Sequence, residues 1–221
     1  LEAAQEQNVM SGLADALKAT QGNGDAWYEM TNYPESHDEV GNDDHRISGQ
    51  ARGYRRNKVA AAATLFARGL PMWFMGSEYG EYRQFRKDSR GPITLHPDGD
   101  QARVRRWWDR LCELRRGNSR VQGPAPIDVK YAQDRMLAFT RGDNADLFVL
   151  LNFSPWEGQR SLAELNLPSG EYKELLNSTW GEYQISSEGE QDRSNGGWDA
   201  RLIRDYTLNI PAYSALVLER A

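Results

Sequence analysis

Residues 33–42 carry the run Tyr33-Pro34-Glu35-Ser36-His37-Asp38-Glu39-Val40-Gly41-Asn42, in which ionisable and hydrogen-bonding side chains are crowded together. Residues 27–33 are rich in aromatic side chains, which is typical of a strand, and Pro34 ends that strand. The polar run therefore begins just beyond the C-terminal end of a predicted strand. This position makes His37, Asp38 and Glu39 the first candidates for chemistry.

A second strand and loop follow an Ala-rich helix that is predicted over residues 57–68. We expect Gly69 to cap this helix and Pro71 to block its continuation. The apolar residues 72–75 then suit a short, fully buried parallel strand. Residues 76–81 begin another loop at the C-terminal end of that strand, so the two polar loops occupy equivalent places.

Further helices are predicted on either side of these strands. Val9, Leu13 and Leu17 are spaced four residues apart and indicate an amphipathic helix, and the apolar residues of 104–114 indicate another. Helices and strands that alternate in this order form parallel α/β units. Because (β/α)₈ barrels place their active sites at the C-terminal ends of strands, we predict that residues 1–117 are the C-terminal portion of a TIM barrel.

The second half of the chain has a different pattern. Residues 118–126 carry Gly123, Pro124 and Pro126 and are the predicted domain boundary. Seven short strands are predicted beyond it, at residues 127–131, 136–140, 146–153, 162–167, 171–176, 206–210 and 213–218. This spacing favours an antiparallel β-sandwich over residues 118–221, interrupted by a long polar excursion at residues 177–205. The predicted fold class is α/β plus all-β.

Net charge, cysteine content and the length of apolar runs limit the partners and the compartment that we expect for this protein. The net charge of −5 over 221 residues gives no general electrostatic reason to expect nucleic acid or an anionic membrane as a partner. The only cysteine, Cys112, allows no intrachain disulfide, and the longest apolar run, residues 70–75, is too short to span a bilayer. We predict a cytoplasmic protein. Because residue 1 is not methionine, we also expect further sequence upstream.

The run His37-Asp38-Glu39 has three interpretations. A carboxylate at a strand end can stabilise the positive charge of an oxocarbenium-like glycosidic transition state, while an imidazole binds a sugar hydroxyl. A polar loop that caps its own backbone groups is equally compatible with the pattern. A metal site is the third interpretation, but no spacing matches a recognised metal motif. Its ligands would come from His37, Asp38, Glu39, Asp43, Asp44 and His45.

Aromatic and polar residues also alternate in the second loop. Tyr79, Tyr82 and Phe85 could stack on the apolar face of a pyranose, or equally pack in the core. Trp107 and Trp108 are predicted to be core residues. A solvated helix face is the predicted role of a set of basic residues, namely Arg103, Arg105, Arg106, Arg110, Arg115, Arg116 and Arg120.

Two stretches resemble the α-amylase superfamily, glycoside hydrolase family 13. Ser36-His37-Asp38-Glu39-Val40 resembles its last conserved catalytic segment, and Gly69-Leu70-Pro71-Met72-Trp73-Phe74-Met75-Gly76-Ser77-Glu78-Tyr79-Gly80 resembles its eighth strand and following turn. The C-terminal half resembles the all-β domain that closes these enzymes. Within the superfamily, the resemblance is closest to the C-terminal portion of α-1,4-glucan branching enzymes.

The resemblance implies roles for individual residues. Asp38 is implied as the catalytic carboxylate that stabilises the transition state, and His37, Glu39, Glu78, Tyr79 and Tyr82 as substrate-binding residues. The implied partners are an α-glucan, namely amylose, glycogen or starch, and the remainder of the catalytic barrel; neither a cofactor nor a metal is implied.

The family's nucleophilic Asp and acid/base Glu follow earlier strands, and no segment like theirs occurs in this sequence. We therefore expect the C-terminal portion of an enzyme, which alone is inactive. Two alternatives stay open. The chain could come from another superfamily hydrolase, either an α-amylase or a maltooligosyltrehalose trehalohydrolase, or it could be a non-catalytic glucan-binding module.

Overall fold

A computed structural model describes residues 2–18, 26–41, 46–83, 99–168, 170–196 and 206–221. Its α-helices are α1 (Glu2–Lys18), α2 (His37–Gly41), α3 (Gly53–Phe66) and α4 (Gly99–Gly117). The strands are β1 (Thr31–Asn32), β2 (Leu70–Pro71), β3 (Ile127–Gln133), β4 (Met136–Arg141), β5 (Leu147–Asn152), β6 (Gly158–Ser161), β7 (Tyr172–Asn177), β8 (Thr207–Ile210) and β9 (Ser214–Arg220). None of the described helices has the length and apolar character needed to cross a bilayer.

An antiparallel sheet of five strands, in the order β3-β4-β5-β9-β7, forms the centre of the C-terminal half. Every residue of β4 and β5 is buried. Successive residues of a strand point to opposite faces of the sheet. Because all residues of β4 and β5 are buried, the sheet is covered on both faces. The predicted antiparallel β domain is confirmed.

The two faces of this sheet pack against different layers. On one face, side chains such as Phe139, Val149 and Val217 share a buried cluster with α1, α3 and α4. On the other face, Phe148 and Leu150 pack with residues of the antiparallel pair β6–β8 and of the segment that follows β6. The helices of the N-terminal half are thus part of the same apolar core as the sheet.

The predicted strand at residues 162–167 is wrong. Ser161 and Glu164 form reciprocal hydrogen bonds, from the Ser161 amide to the carboxylate at 2.6 Å and from the Glu164 amide to the hydroxyl at 3.1 Å. This capping box starts a turn, which places Leu162, Leu165 and Leu167 in the core without a strand. The strand of this region, β6, lies just before it at Gly158–Ser161.

The predictions for the N-terminal helices hold with three corrections. Helix α3 ends at Phe66 with Ala67 as its C-cap, so the predicted cap at Gly69 is wrong. The helical prediction for α1 is confirmed, but Met10, Ala14 and Leu17 are its buried residues, whereas Val9 is 67% exposed. Trp107 and Trp108 are core residues as predicted.

The solvated role is wrong for Arg115. Its guanidinium donates to the carbonyl oxygens of Leu65, Ala67 and Gly69. It thereby binds one carbonyl group in the last turn of α3 and two in the segment that follows the helix, where intrahelical partners are lacking.

The buried strand predicted at residues 72–75 is also wrong in this chain. The strand is β2, two residues earlier, and Met72, Trp73 and Met75 are 41, 37 and 53% exposed. Within the described residues β2 pairs only with β1, and the Trp73 ring lies 5.2 Å from that of Trp108.

Candidate functional site

The two candidate loops leave the same edge of a small parallel pair. Strand β1 pairs with β2 in parallel register, Thr31 opposite Leu70 and Asn32 opposite Pro71. The Leu70 amide donates to the Met30 carbonyl oxygen at 2.8 Å, and the Asn32 side chain donates to the Arg68 carbonyl oxygen at 2.7 Å. Parallel strands end at the same side, so the loop containing Asp38 and the loop containing Glu78 emerge together.

A buried ion pair joins these loops. Glu35 is 3% exposed, and its Oε1 accepts from the Arg46 Nη1 at 2.9 Å and from the Ser77 hydroxyl at 2.7 Å. Its Oε2 accepts from the Ile47 amide at 2.9 Å. Arg46 also donates to the Met75 carbonyl oxygen at 2.9 Å. Charged groups are this deeply buried only when they are paired, so this cluster fixes the first loop to the second.

Sequence reasoning did not single out Glu35 or Arg46. Glu35 stands in the quoted polar run, but nothing in its local pattern distinguishes it from its exposed neighbours. Arg46 follows 11 residues later. Only the folded chain brings this acid and base together.

The residues His37, Asp38 and Glu39 lie on a single turn of helix, α2, rather than on an extended segment. The side chains of His37 and Asp38 are 75 and 69% exposed, and His37 Nε2 lies 3.4 Å from Asp38 Oδ1. Both groups are accessible to a ligand in solution. Val40, on the same turn, is fully buried and anchors it.

Glu39 has a structural contact. Its Oε2 accepts from the Ser36 amide at 2.7 Å and from the Ser36 hydroxyl at 2.5 Å. These hydrogen bonds, the hydroxyl first, lower the pKa of the Glu39 carboxyl. The sequence Ser-x-x-Glu is a capping box at the start of α2, which matches the self-capping interpretation for this one residue. Its predicted contact with substrate stays a prediction.

In the second loop, Glu78 and Tyr79 are held by their surroundings. Glu78 Oε2 accepts from the Gly76 amide at 2.9 Å. The Tyr79 hydroxyl accepts from the Arg105 Nη1 at 3.0 Å, and the Arg105 guanidinium carbon lies 5.0 Å from the centre of the tyrosine ring. Tyr82 is 57% exposed. Tyr82 is therefore free to present its ring to a ligand, as the stacking interpretation requires.

Asn57 of α3 is hydrogen-bonded to the second loop. Its side-chain amide donates to the Ser77 carbonyl oxygen at 2.9 Å and to the Ser48 hydroxyl at 3.2 Å. Its Oδ1 accepts from the indole nitrogen of Trp108 at 2.9 Å. A buried amide whose donors and acceptor are all hydrogen-bonded fixes the position of the loop it contacts. The Ala-rich pattern of the helix did not indicate this role for Asn57.

Three of the six candidate metal ligands, His37, Asp38 and Glu39, lie among the described residues. Among these, no group of three His, Cys, Asp or Glu side chains is placed to hold an ion. Asp43, Asp44 and His45 lie outside the described residues, as do Asn42 and Phe85.

The architecture of the β domain has a close counterpart among known families. Residues 127–221 match the model of the α-amylase C-terminal all-beta domain. The match covers the C-terminal 95 of the 221 residues. The boundary predicted at residues 118–126 immediately precedes the match.

Relatives match over most of the chain. The 1,4-alpha-glucan branching enzyme GlgB of Lactobacillus acidophilus is 27% identical over 209 residues, covering 84% of this chain and 32% of that protein. The branching enzyme GlgB of Rhodopseudomonas palustris is 31% identical over 204 residues, covering 84% and 28%. The resemblance to the α-amylase superfamily, closest to the C-terminal portion of branching enzymes, is confirmed. The chain spans 28–32% of the length of these two relatives.

A solved structure shows the same fold. The pullulanase from Bacillus acidopullulyticus superposes with a TM-score of 0.62 at 16% identity, covering 96% of this chain and 26% of that one. At this identity the likeness concerns the fold alone.

Proposed function

We propose that this chain is the C-terminal part of a branching-type transglycosidase. The parent protein cleaves α-1,4 links in glycogen or starch chains and transfers the released segment to a 6-hydroxyl group. The observation that carries this proposal is the parallel pair β1–β2, from which the Asp38 loop and the Glu78 loop emerge side by side. The α-amylase C-terminal domain that follows, and the branching enzymes among the relatives, support the same activity.

In this proposal Asp38 is the catalytic carboxylate that stabilises the oxocarbenium-like transition state. Its exposure and its position on a buried anchor suit that role, because the carboxylate reaches solvent while Val40 holds the turn in place. His37 binds a hydroxyl of the sugar beside it. Glu39, Glu78, Tyr79 and Tyr82 line or support the same site, and no cofactor is required.

Residues 1–117 are proposed to complete a (β/α)₈ barrel with sequence outside this chain, and residues 118–221 to form the closing domain. Exposed apolar side chains along and beyond β2 support this division of the site, since Leu70, Met72, Trp73 and Met75 are each more than a third exposed. A groove of about 960 Å³ between β2 and α4 lies next to them. The remaining strands of the barrel are the proposed partner that buries this surface.

The test is to supply amylose to the longer protein encoded by the same reading frame. New α-1,6 links by linkage analysis, with falling iodine staining, are the expected result. Asp38→Asn should reduce the rate at least about a hundredfold, as the loss of a group that stabilises transition-state charge does. Asp128→Asn is the matched control, because the Asp128 side chain is 67% exposed and lies in the β domain. Trehalose or reducing sugar as the main product would instead identify a hydrolase of the superfamily.

The chain by itself is proposed to be inactive, because it carries neither a nucleophile nor an acid/base of the family type. Turnover of amylose by the purified 221-residue chain would contradict this part of the proposal.

A further inference from the structure

Arg46 is 2% exposed, and its guanidinium bonds to three separate segments of the chain. Nη1 donates to Glu35 Oε1 at 2.9 Å, and Nη2 donates to the Met75 carbonyl oxygen at 2.9 Å. Nε donates to the Arg83 carbonyl oxygen at 3.0 Å. The guanidinium carbon also lies 5.3 Å from the centre of the Phe74 ring. One side chain therefore joins the segment before α2 to both ends of the second loop.

Tyr82 lies at the end of this loop, next to the second carbonyl group that Arg46 binds. Its neighbour Glu81 is 2% exposed, whereas Tyr82 is 57% exposed. Glu81 Oε1 accepts from the Arg83 amide at 2.8 Å, and its Oε2 accepts from the Arg83 Nη2 at 2.8 Å. The Glu81 amide donates to the Gly76 carbonyl oxygen at 2.9 Å. The residues on both sides of Tyr82 are thus anchored, while the tyrosine itself reaches solvent.

The segment that carries Arg46 also packs against the main chain of Tyr82. Arg46 directly precedes a short 3₁₀ turn, Ile47–Gly49. A Cβ added at Gly49 would lie 3.1 Å from the Tyr82 carbonyl oxygen, so the two backbones are close. Arg46 therefore acts on the position of Tyr82 from both its side chain and its main chain.

The contacts of Arg46 require a guanidinium. A guanidinium presents its N–H donors in a rigid planar fork, and in Arg46 each of the three nitrogen atoms serves a different acceptor. A lysine ammonium is a compact point charge, which still pairs with Glu35 but lacks the fork that holds both carbonyl groups. Arg46→Lys thus keeps the buried carboxylate paired and removes the anchoring of the loop.

We propose that Arg46 is a positioning residue, which places the ring of Tyr82 so that Tyr82 and Asp38 contact the same glucan chain. The inference rests on the proposed function, in which Tyr82 binds substrate and Asp38 is the catalytic carboxylate. Arg46 is too deeply buried to touch the glucan. It acts through the carbonyl groups of Met75 and Arg83, so its effect on affinity exists only where the ring of Tyr82 is present.

The test is a double-mutant cycle in the longer protein encoded by the same reading frame. Affinity for maltoheptaose is measured by calorimetric titration, and kcat with saturating amylose. Tyr82→Ala and Arg46→Lys should each weaken binding about tenfold, in line with the loss of one aromatic contact. The double variant should also lose only about tenfold, whereas independent effects would multiply to about a hundredfold. In Arg46→Lys, kcat should fall by no more than about threefold, because the pairing with Glu35 is kept.

Arg120→Lys is the matched control, since it makes the same exchange at an arginine that pairs with Glu219 next to the five-stranded sheet. Its affinity should stay within about twofold of the wild type. Thermal unfolding of each variant verifies that it is folded at the assay temperature. Failure of both Arg46→Lys and Arg46→Gln to fold would show that the residue serves the fold instead of Tyr82, and would overturn the proposal.

Unchanged affinity in a folded Arg46→Lys variant would also refute the inference, as would a double variant whose loss equals the product of the single losses. The titration needs no turnover, so the two proposals fail separately. Coupled losses in a longer protein that forms no α-1,6 links would support the role of Arg46 and refute the branching activity. Branching with independent losses would refute the role of Arg46 alone.

Discussion

Replacing Lys58 with methionine should destabilise the fold severely. Lys58 on α3 is completely buried, and its ammonium group donates to the carbonyl oxygens of Ser178 and Tyr183 at 2.6 and 2.8 Å and to Glu190 Oε2 at 2.7 Å. An ammonium has three donors, and all three are satisfied. Lys58→Met leaves two buried carbonyls and a buried carboxylate without this partner. Breaking a buried ion pair from one side costs about 3–5 kcal/mol.

The same pair predicts a pH dependence. Burial lowers the pKa of Lys58 from 10.5 to about 8, and the Glu190 carboxylate limits that shift. In Glu190→Gln the folded-state pKa of Lys58 therefore falls further below 8. A lysine with a lowered folded pKa reduces stability at low pH, and this penalty disappears as pH rises towards the unfolded value. The stability deficit of Glu190→Gln should consequently be largest below the folded-state pKa of Lys58 in the variant, and shrink as pH rises from there to about 8, where the wild-type protein begins to gain stability in the same way.

Urea denaturation followed by tryptophan fluorescence between pH 6 and pH 9 measures both effects. Lys130→Met is the control, because Lys130 and Asp128 form an ion pair in which the Asp128 side chain is 67% exposed. Exposed pairs contribute about 0–1 kcal/mol, so this variant should lose little. A Lys58→Met deficit as small as that of the control, or a Glu190→Gln deficit that does not change with pH, would refute the reasoning.

Four further substitutions test other parts of the fold, each by the change in the free energy of unfolding. Glu35→Ala strands the buried guanidinium of Arg46 and should cost about 3–5 kcal/mol; a loss below about 1 kcal/mol would show that the pair is not a support. Gly69→Ala should cost at least about 1 kcal/mol, because Gly69 has φ +114° and an added Cβ would lie 2.7 Å from a main-chain oxygen. Gly12→Ala, in open space on α1, should instead stabilise by about 0.5–1 kcal/mol. Ser161→Ala removes the capping box after β6 and should cost about 1 kcal/mol, and a neutral result would mean that the turn needs no cap.

The sequence predicts the strands of the β domain well because each carries its own pattern. Strands β4, β5 and β9 are continuous apolar runs between turn residues, and their bounds lie within two residues of the prediction. The error at residues 162–167 has a local cause. Leu162, Leu165 and Leu167 are apolar enough for a strand, but Ser161 and Glu164 form a capping box that favours a helical turn. The hydrogen bonds between Ser161 and Glu164 therefore outweigh the strand preference of the apolar residues.

The candidate site is predictable only in part. Asp38 and Glu78 could be placed on adjacent loops because each follows a predicted strand, and the parallel pairing of β1 and β2 agrees with that placement. The groups that hold these loops could not be found in the same way. Glu35 and Arg46 have no periodicity or motif, and their buried contact exists only once the chain is folded.

Adjacent residues of α3 connect the β domain to the candidate site. Lys58 bonds to the carbonyl oxygens of Ser178 and Tyr183 in the β domain, while Asn57 bonds to the Ser77 carbonyl oxygen beside the second loop. Successive helical residues point about 100° apart, so one turn of one helix faces both regions. Because Ser77 in turn donates to Glu35, a shift of α3 against the five-stranded sheet would move both candidate loops together. The β domain is therefore connected to the candidate site through α3, by the hydrogen bonds of Lys58 on one side and of Asn57 on the other.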